Sequence, residues 1–379
     1  MLNLDWPLKR YHKVFAGIKD YTVKNTDWTL VWDPFPELKL SKSSKEPYYS
    51  GLIGRCDFET YSAAKDLKIP IVNTWFFNKI KGLPSVLEDF EKNGALAAEN
   101  LIKRGYRNFV TFNYRGDPSA KAFNEGAASV LKNYQCKLEK AVAPRDIEKN
   151  KNNWQKVNSD FSKWSKKWTY PLAIITSICD LGPKLSTFCS ENGLRIPEDV
   201  VILSSGNDAA YCEGFSPTIS SVDIDYFKIG YEAARMLDYK IKGRAVKENV
   251  IYIPPVGIVP RESTDSYAVN DEQVKVALRF IADNFEKNIC VDDIVSQVPI
   301  SRRSLEKRFM KCLGRTMFDE MNRLRIETMK RLLLESDANI KSLSLQAGFS
   351  SPQQMRRSFL SATGISPVNF RKMAITEQP

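Results

Sequence analysis

Residues 291–371 are written twice. Leu305, Phe309 and Gly314 recur 50 residues later as Met355, Phe359 and Gly364. An apolar residue and a phenylalanine four apart stack on one helix face, and a glycine five positions on suits the turn that ends it. The region must therefore hold two copies of one helical unit. In the first copy 291–298 reads as a short helix with Ile294, Val295 and Val298 on one side; Pro299-Ile300 break it, and Ser301 caps a second helix running to Leu313. In the second, 340–347 turns Ile340, Leu343 and Ala347 inward, Gly348-Phe349 makes the turn, and Ser350 or Ser351 caps a helix opening on Pro352. Each copy, 291–313 and 340–363, is a helix-turn-helix.

Between them 316–335 reads as one helix, roughly 20 residues at about 1.5 Å each, a strut of about 30 Å. One turn of B-DNA is about 34 Å, so the strut can set two second helices into successive major grooves. Their exposed positions are Ser301, Arg302, Arg303, Glu306 and Lys307 in the first copy, and Ser351, Gln353, Arg356 and Arg357 in the second. Arginine pairs with guanine and glutamine with adenine through two hydrogen bonds. The expected partner is a double-stranded DNA operator.

These residues resemble the DNA-binding domain of the AraC/XylS regulators. The resemblance lies in Arg325-Ile326-Glu327 with Leu332-Leu333, in Gly348-Phe349-Ser350-Ser351, and in Phe359, Gly364, Pro367 and Phe370-Arg371. The chain departs from that pattern at Gln354-Met355, Met329 and Ser361-Ala362, which bears on phosphate contacts rather than on fold.

A chain of 379 residues with 43% hydrophobic content has room for two or three cored domains, and a net charge of +11 favours a polyanionic partner. Seven scattered cysteines, odd in number and without a CxxC pair, read as reduced core residues. His12 is the only histidine, which leaves no histidine-rich metal site, and neither GxxxxGK[ST] nor GxGxxG occurs. No cofactor is expected. The first residues lack an apolar signal core and no apolar run reaches about 18 residues, so a cytoplasmic protein without a membrane partner is expected.

Residues 1–264 alternate helical and strand patterns, which predicts parallel sheets with helices on both faces. Helices are expected at 12–24, 59–67, 89–104, 120–131, 153–168, 181–192 and 226–241. Strands are expected at 29–32, 51–53, 69–75, 109–112, 172–175, 200–203 and 220–222. One sheet would carry too many strands, so two lobes are expected, crossed near 113–119, 216–221 and 254–260. A linker at 265–271 then leads to an all-α domain at 272–375.

Pro217-Thr218-Ile219-Ser220-Ser221-Val222-Asp223, Gly230 with Ala233-Ala234, Ile253-Pro254-Pro255 and Arg261-Glu262-Ser263-Thr264 resemble the effector domain of LacI/GalR regulators, itself similar to periplasmic sugar-binding proteins. Such a sensor ahead of an AraC-type reader is similar to the xylose operon regulators. The resemblance implies a two-lobed periplasmic-binding-protein-like sensor, a small-molecule effector of sugar class, a homodimer pairing through the first lobe, and RNA polymerase as partner if the protein is an activator.

Ligands of open parallel sheets sit beyond the carboxyl ends of strands. That rule nominates Asp5 and Trp6, the stretch 73–76 with Asn73 and Trp75, Tyr114 and Arg115, Asp180, Asn207 and Asp208, and Asp223 for the effector. Phe123 stands three residues before Gly126, where LacI/GalR members carry an arginine, and Gly206 precedes Asn207-Asp208 where an aspartate is usual; both departures bear on which ligand fits. The reading from another class is an α/β enzyme, or a sensor, with an accessory helical interaction domain; the lack of an acid/base pair on a recognisable motif weighs against the enzyme. Only residues 1–4 are left for the first strand, so a start upstream of Met1 is expected.

Overall fold

The structure, a computed structural model, describes residues 1–3, 9–40, 48–76, 80–246, 248–265, 269, 271–287, 289–336 and 338–376. Met1–Ile102 and Arg107–Asp265 form one compact unit; Ser266–Pro379 form another, with which Lys103–Tyr106 group.

The first unit runs β1 (Leu2–Asn3), α1 (Lys9–Asn25), α2 (Glu37–Leu40), β2 (Leu52–Gly54), α3 (Phe58–Asp66), β3 (Ile71–Asn73), β4 (Ser85–Glu88), α4 (Phe90–Lys103), β5 (Asn108–Tyr114), α5 (Pro118–Asn133), β6 (Leu138–Ala143) and α6 (Lys151–Ser165). It continues with β7 (Leu172–Ile175), α7 (Leu181–Glu191), β8 (Val200–Ser205), α8 (Ala209–Cys212), β9 (Ser220–Ile224), α9 (Tyr226–Ile241), β10 (Val250–Ile253) and β11 (Pro255–Val259). Two sheets result, one ordered β1-β2-β3-β4-β10 and the other β11-β9-β8-β7-β5-β6. Their central strands are apolar runs buried on both faces, as in β7 and the first four residues of β8, because helices cover both sides.

Three expectations are corrected. The sheets are not wholly parallel: β11 lies antiparallel to β9, because the chain comes straight from β10 through Pro254 without a crossover helix. The strand at 29–32 shrinks to one bridge between Leu2 and Trp32, since Pro34 and Pro36 follow and cannot donate to a ladder. Leu2 is nevertheless paired on both flanks, donating to Val31 O at 2.7 Å and lying opposite Ile53 of β2. The crossings near 113–119 and 216–221 also move. All named strands from Asn108 to Ile224 lie in the second sheet, while α9 packs on β2, β3 and β4. The chain therefore changes lobe between β4 and β5, after β9, and at Pro254. The 113–119 stretch is instead the turn into α5, where the Asp117 carboxylate accepts from Ser119 N at 2.9 Å and Pro118 occupies the first turn.

One close approach prepares the cleft between these lobes. A Cβ on Gly17 of α1 would lie 2.0 Å from Phe227 O, and one on Gly230 of α9 would lie 1.9 Å from Val14 O. Backbone therefore meets backbone, and the first residues of α1 and α9 sit side by side.

The second unit holds α10 (Glu272–Asn284), α11 (Val291–Val295), α12 (Arg302–Leu313), α13 (Met317–Glu335), α14 (Ile340–Gln346), α15 (Pro352–Thr363) and α16 (Pro367–Thr376). It has two cores. Leu278, Ile281, Ile294, Leu305 and Phe309 gather around Met317 and Met321, from the first turns of α13. Leu343, Phe349, Met355 and Phe359 gather around Ile326, Met329 and Leu333, from its later turns. The repeated phenylalanines are the centre of each core, and α13 is shared between them.

Candidate functional site

In the first unit a cavity of about 210 Å³ opens at the carboxyl ends of both sheets. It is smaller than the roughly 300–1,000 Å³ usual for drug-sized sites, so it suits a small molecule. One wall carries Arg10 and Tyr11 from the start of α1, Thr74 and Trp75 after β3, Glu88 at the end of β4, and Tyr226 from the start of α9. The other carries Ser177, Cys179 and Asp180 after β7, and Ser205, Gly206 and Asp208 after β8.

Four polar atoms of this cleft are buried and lack a partner among the described residues: Arg10 Nε, Thr74 Oγ1, Asp180 Oδ1 and Ser205 Oγ. Each such atom costs about 1–3 kcal/mol when left unmatched. Two come from each wall, so a polar ligand held by both lobes would satisfy all four. Asp180 shows how the sequence leaves this capacity. It holds the N-cap position of α7 but makes no capping bond; Oδ2 accepts from Tyr114 Oη at 2.6 Å and Lys184 Nζ at 3.3 Å, and Oδ1 stays open. Burial raises the Glu88 pKa from 4.5 to about 7 against the opposing pull of Arg10 and of the bond from Asn93.

The nominated effector residues divide. Trp75, Asp180 and Asp208 line the cavity; Trp75 carries the Arg55 guanidinium 4.3 Å above its ring, and Asp208 accepts from Ala210 N as the cap of α8. Asp5 and Trp6 lie outside the described residues. Asn73, Asn207, Arg115 and Phe123 do not line the cavity. Asn73 is fully buried and closes the turn after β3, donating to Trp75 O and Ser85 Oγ and accepting from Trp75 N. Asn207 is locked between Asp223, to which it donates at 2.9 Å, and Arg261, from which it accepts at 2.8 Å. Arg115 is exposed and off the cavity wall. Phe123 is fully buried, packed where α5 meets α4 at Gly94.

The strand-end rule covers Thr74 within 73–76, and could have found Glu88, Cys179 and Ser205 as well. Glu88 was hidden because β4 lacks an alternating pattern. Arg10 ends the stretch 5–10 that reads as a ligand loop, although it lies in the first turn of α1; Tyr11 was missed because the apolar periodicity of α1 becomes clear only from residue 12.

In the second unit the two helices proposed to read DNA are built alike. Ser301 Oγ accepts from Ser304 N, Ser351 Oγ accepts from Gln354 N, and Gly314 and Gly364 end the helices in left-handed backbone. Ser350 is not the cap; its N–H and hydroxyl both donate to Gln354 Oε1. Leu305, Phe309, Met355 and Phe359 face inward, while Arg302, Arg303, Glu306, Lys307, Gln353, Arg356 and Arg357 are exposed. Arg302 is engaged by its neighbours, 2.9 Å from Glu306 and 3.0 Å from Asp292.

What fixes one copy against the other is the end of α10. Buried Arg325 of α13 donates to Phe285 O at 2.8 Å and Lys287 O at 3.0 Å. Gly348, in the turn of the second copy at φ +85°, lies so close that a Cβ there would be 2.2 Å from Phe285 O. Buried Glu320 anchors the first turn of α13 through Arg323 and Arg315. Burial alone would raise its pKa, but the two guanidinium groups pull it to about 2.

Comparison with known proteins finds relatives of both units. Residues 98–264 match the family described as periplasmic binding protein-like domain, and residues 294–373 match a helix-turn-helix domain family. The xylose operon regulatory protein of Escherichia coli (strain K12) is 24% identical over 365 residues, covering 95% of this chain and 93% of that protein. The melibiose operon regulatory protein of the same organism is 28% identical over 101 residues, covering 27% of this chain and 33% of its own length. Among solved structures, a xylose-binding transcription activator superposes with a TM-score of 0.57 at 21% identity, covering 98% of this chain and 97% of that one.

Proposed function

We infer, for a chain that joins a periplasmic-binding-protein-like domain to an AraC-type helix-turn-helix domain, that it is a DNA-binding transcription regulator governed by a small sugar-class effector. The observation that carries the DNA role is the pair of capped, basic helices α12 and α15, each seated on its own core and both tied to α13. Arg302, Arg303, Glu306 and Lys307, with Gln353, Arg356 and Arg357, are proposed to meet base edges; the exposed Ser301 and the half-buried Ser351 complete the helix starts.

The effector role is carried by four unmatched polar atoms on two facing walls. Trp75, Asp180 and Asp208, with Arg10, Thr74, Glu88 and Ser205, form the proposed binding set. The relatives' names point to operons for sugar use, and a regulator of such an operon is proposed here. The protein is proposed to work in the cytoplasm, to bind rather than transform its ligand, and, if it is an activator, to engage RNA polymerase at its target.

A homodimer is proposed as well. Phe35, Leu38 and Phe58, the last two on the packed helices α2 and α3, are 60%, 61% and 73% exposed, an apolar surface that a second copy would cover. A gel shift on the DNA upstream of its own gene, with and without pentoses, hexoses and their acids, tests the whole reading. Retarded DNA whose affinity moves with one of these compounds supports it; no retardation at low salt refutes the DNA role.

A further inference from the structure

The charges of the cleft are matched on one wall and not on the other. Asp180 faces Lys184, which also lies 2.9 Å from Glu148. Arg10, by contrast, has a buried Nε without a hydrogen-bond partner and forms no ion pair among the described residues. Its described neighbour is the Tyr11 ring, 5.0 Å from the guanidinium carbon. Glu88 pulls on it only through space: no ion pair or hydrogen bond joins the two among the described residues, and burial raises the Glu88 pKa to about 7 against the pull of Arg10. A guanidinium cannot shed its proton to escape burial, so an unmatched one is costly unless a ligand supplies the counter-charge.

We propose, resting on the effector role of this cleft, that the effector is a sugar acid, an aldonate or uronate whose carboxylate pairs with Arg10 while its hydroxyls donate to Asp180 Oδ1 on the opposite wall. The planar fork of Arg10 matches a carboxylate through two parallel hydrogen bonds. The open carboxylate oxygen of Asp180, an acceptor, matches hydroxyl groups and repels a second acid. Thr74 and Ser205 hydroxyls complete the set. A ligand with one acidic end and a hydroxylated body answers both walls, whereas a neutral sugar offers the Arg10 guanidinium no carboxylate.

Calorimetric titration of the full chain with xylonate against xylose, and glucuronate against glucose, tests this. The acid of at least one pair is expected to bind about tenfold tighter than its parent, a difference of about 1.4 kcal/mol. In Arg10→Met the ratio of acid to neutral affinity is expected to fall to about one, with a cooperative melt retained, because methionine keeps an unbranched apolar side chain at that position. Asp180→Asn is expected to weaken both ligand classes. Neutral sugars binding as tightly as their acids, no binding by any acid, or an unchanged ratio in Arg10→Met would each overturn the proposal. The cleft assignment fails separately, if a ligand binds and neither Arg10→Met nor Asp180→Asn alters its affinity.

Discussion

At the scale of single residues, two glutamates, Glu88 half-buried in the cleft and Glu320 fully buried, give the two units opposite responses to acid. Glu88 has a folded pKa raised from 4.5 to about 7. Its contribution to stability is present below pH 4.5 and is lost as pH rises through 7, at most about 3 kcal/mol in all. Glu88→Gln should therefore flatten the pH dependence of the sensor unit between 4.5 and 7 and raise its melting temperature at pH 8. Glu320 is the reverse case, with a folded pKa lowered from 4.5 to about 2. Its contribution is present above pH 4.5 and is lost as pH falls through 2. Glu320→Gln leaves two guanidinium groups without their acid, and should destabilise the DNA-binding unit by about 3 kcal/mol at pH 7, less at pH 3. Thermal melts across pH 3 to 8, followed unit by unit, check both signs; a Glu320→Gln cost independent of pH would show that the pairing is not its source.

At the scale of elements, DNA reading depends on where α15 stands relative to α12, and that is set by the end of α10. Gly348→Ala would push a methyl group into Phe285 O at a left-handed backbone position, so the second copy must shift. It should weaken binding to a full operator by tenfold or more while changing affinity for an isolated first half-site by less than about twofold; an equal loss on both would mean general unfolding. Alanine at both Arg302 and Arg303 should instead lower specific over random affinity by about 1–3 kcal/mol for each guanine no longer recognised. Arg302 is expected to contribute less than Arg303, since it must first leave Glu306 and Asp292.

Much of this architecture was legible. The 50-residue spacing, the serine caps and the closing glycines follow from local geometry that a sequence displays directly. What was not legible depends on long-range pairing. β6 carries Glu139 and Lys140 because it is a sheet edge, and its charge masks its strand pattern. Asn73 and Asn207 have the chemistry of ligand residues, and only their partners show that they are spent on turns and bridges. Arg10 shows the converse, a surface-type residue by composition that packing places in a cleft.

At the scale of the whole molecule, a sensor and a reader on one chain are useful only if occupancy of one changes the equilibrium of the other. Equilibrium linkage then leaves no freedom in how large the reciprocal effect is: if effector changes operator affinity by some factor, operator changes effector affinity by the same factor. For regulators this is commonly 1–3 kcal/mol, about 5- to 150-fold. The two sites differ so much in chemistry, four uncharged or singly charged groups in the cleft against at least five exposed basic side chains on α12 and α15, that salt separates them. Raising salt should depress operator affinity steeply through counterion release and leave effector affinity of the free protein far less affected. The expected result is therefore two matching coupling factors at every salt concentration at which both complexes can be measured, one from DNA binding with and without effector, the other from effector titration with and without operator. Sedimentation of the same samples fixes the stoichiometry, with a dimer expected on the operator. Two factors both equal to one, with effector still bound, would mean that effector acts on a later step than DNA binding, after the operator complex has formed.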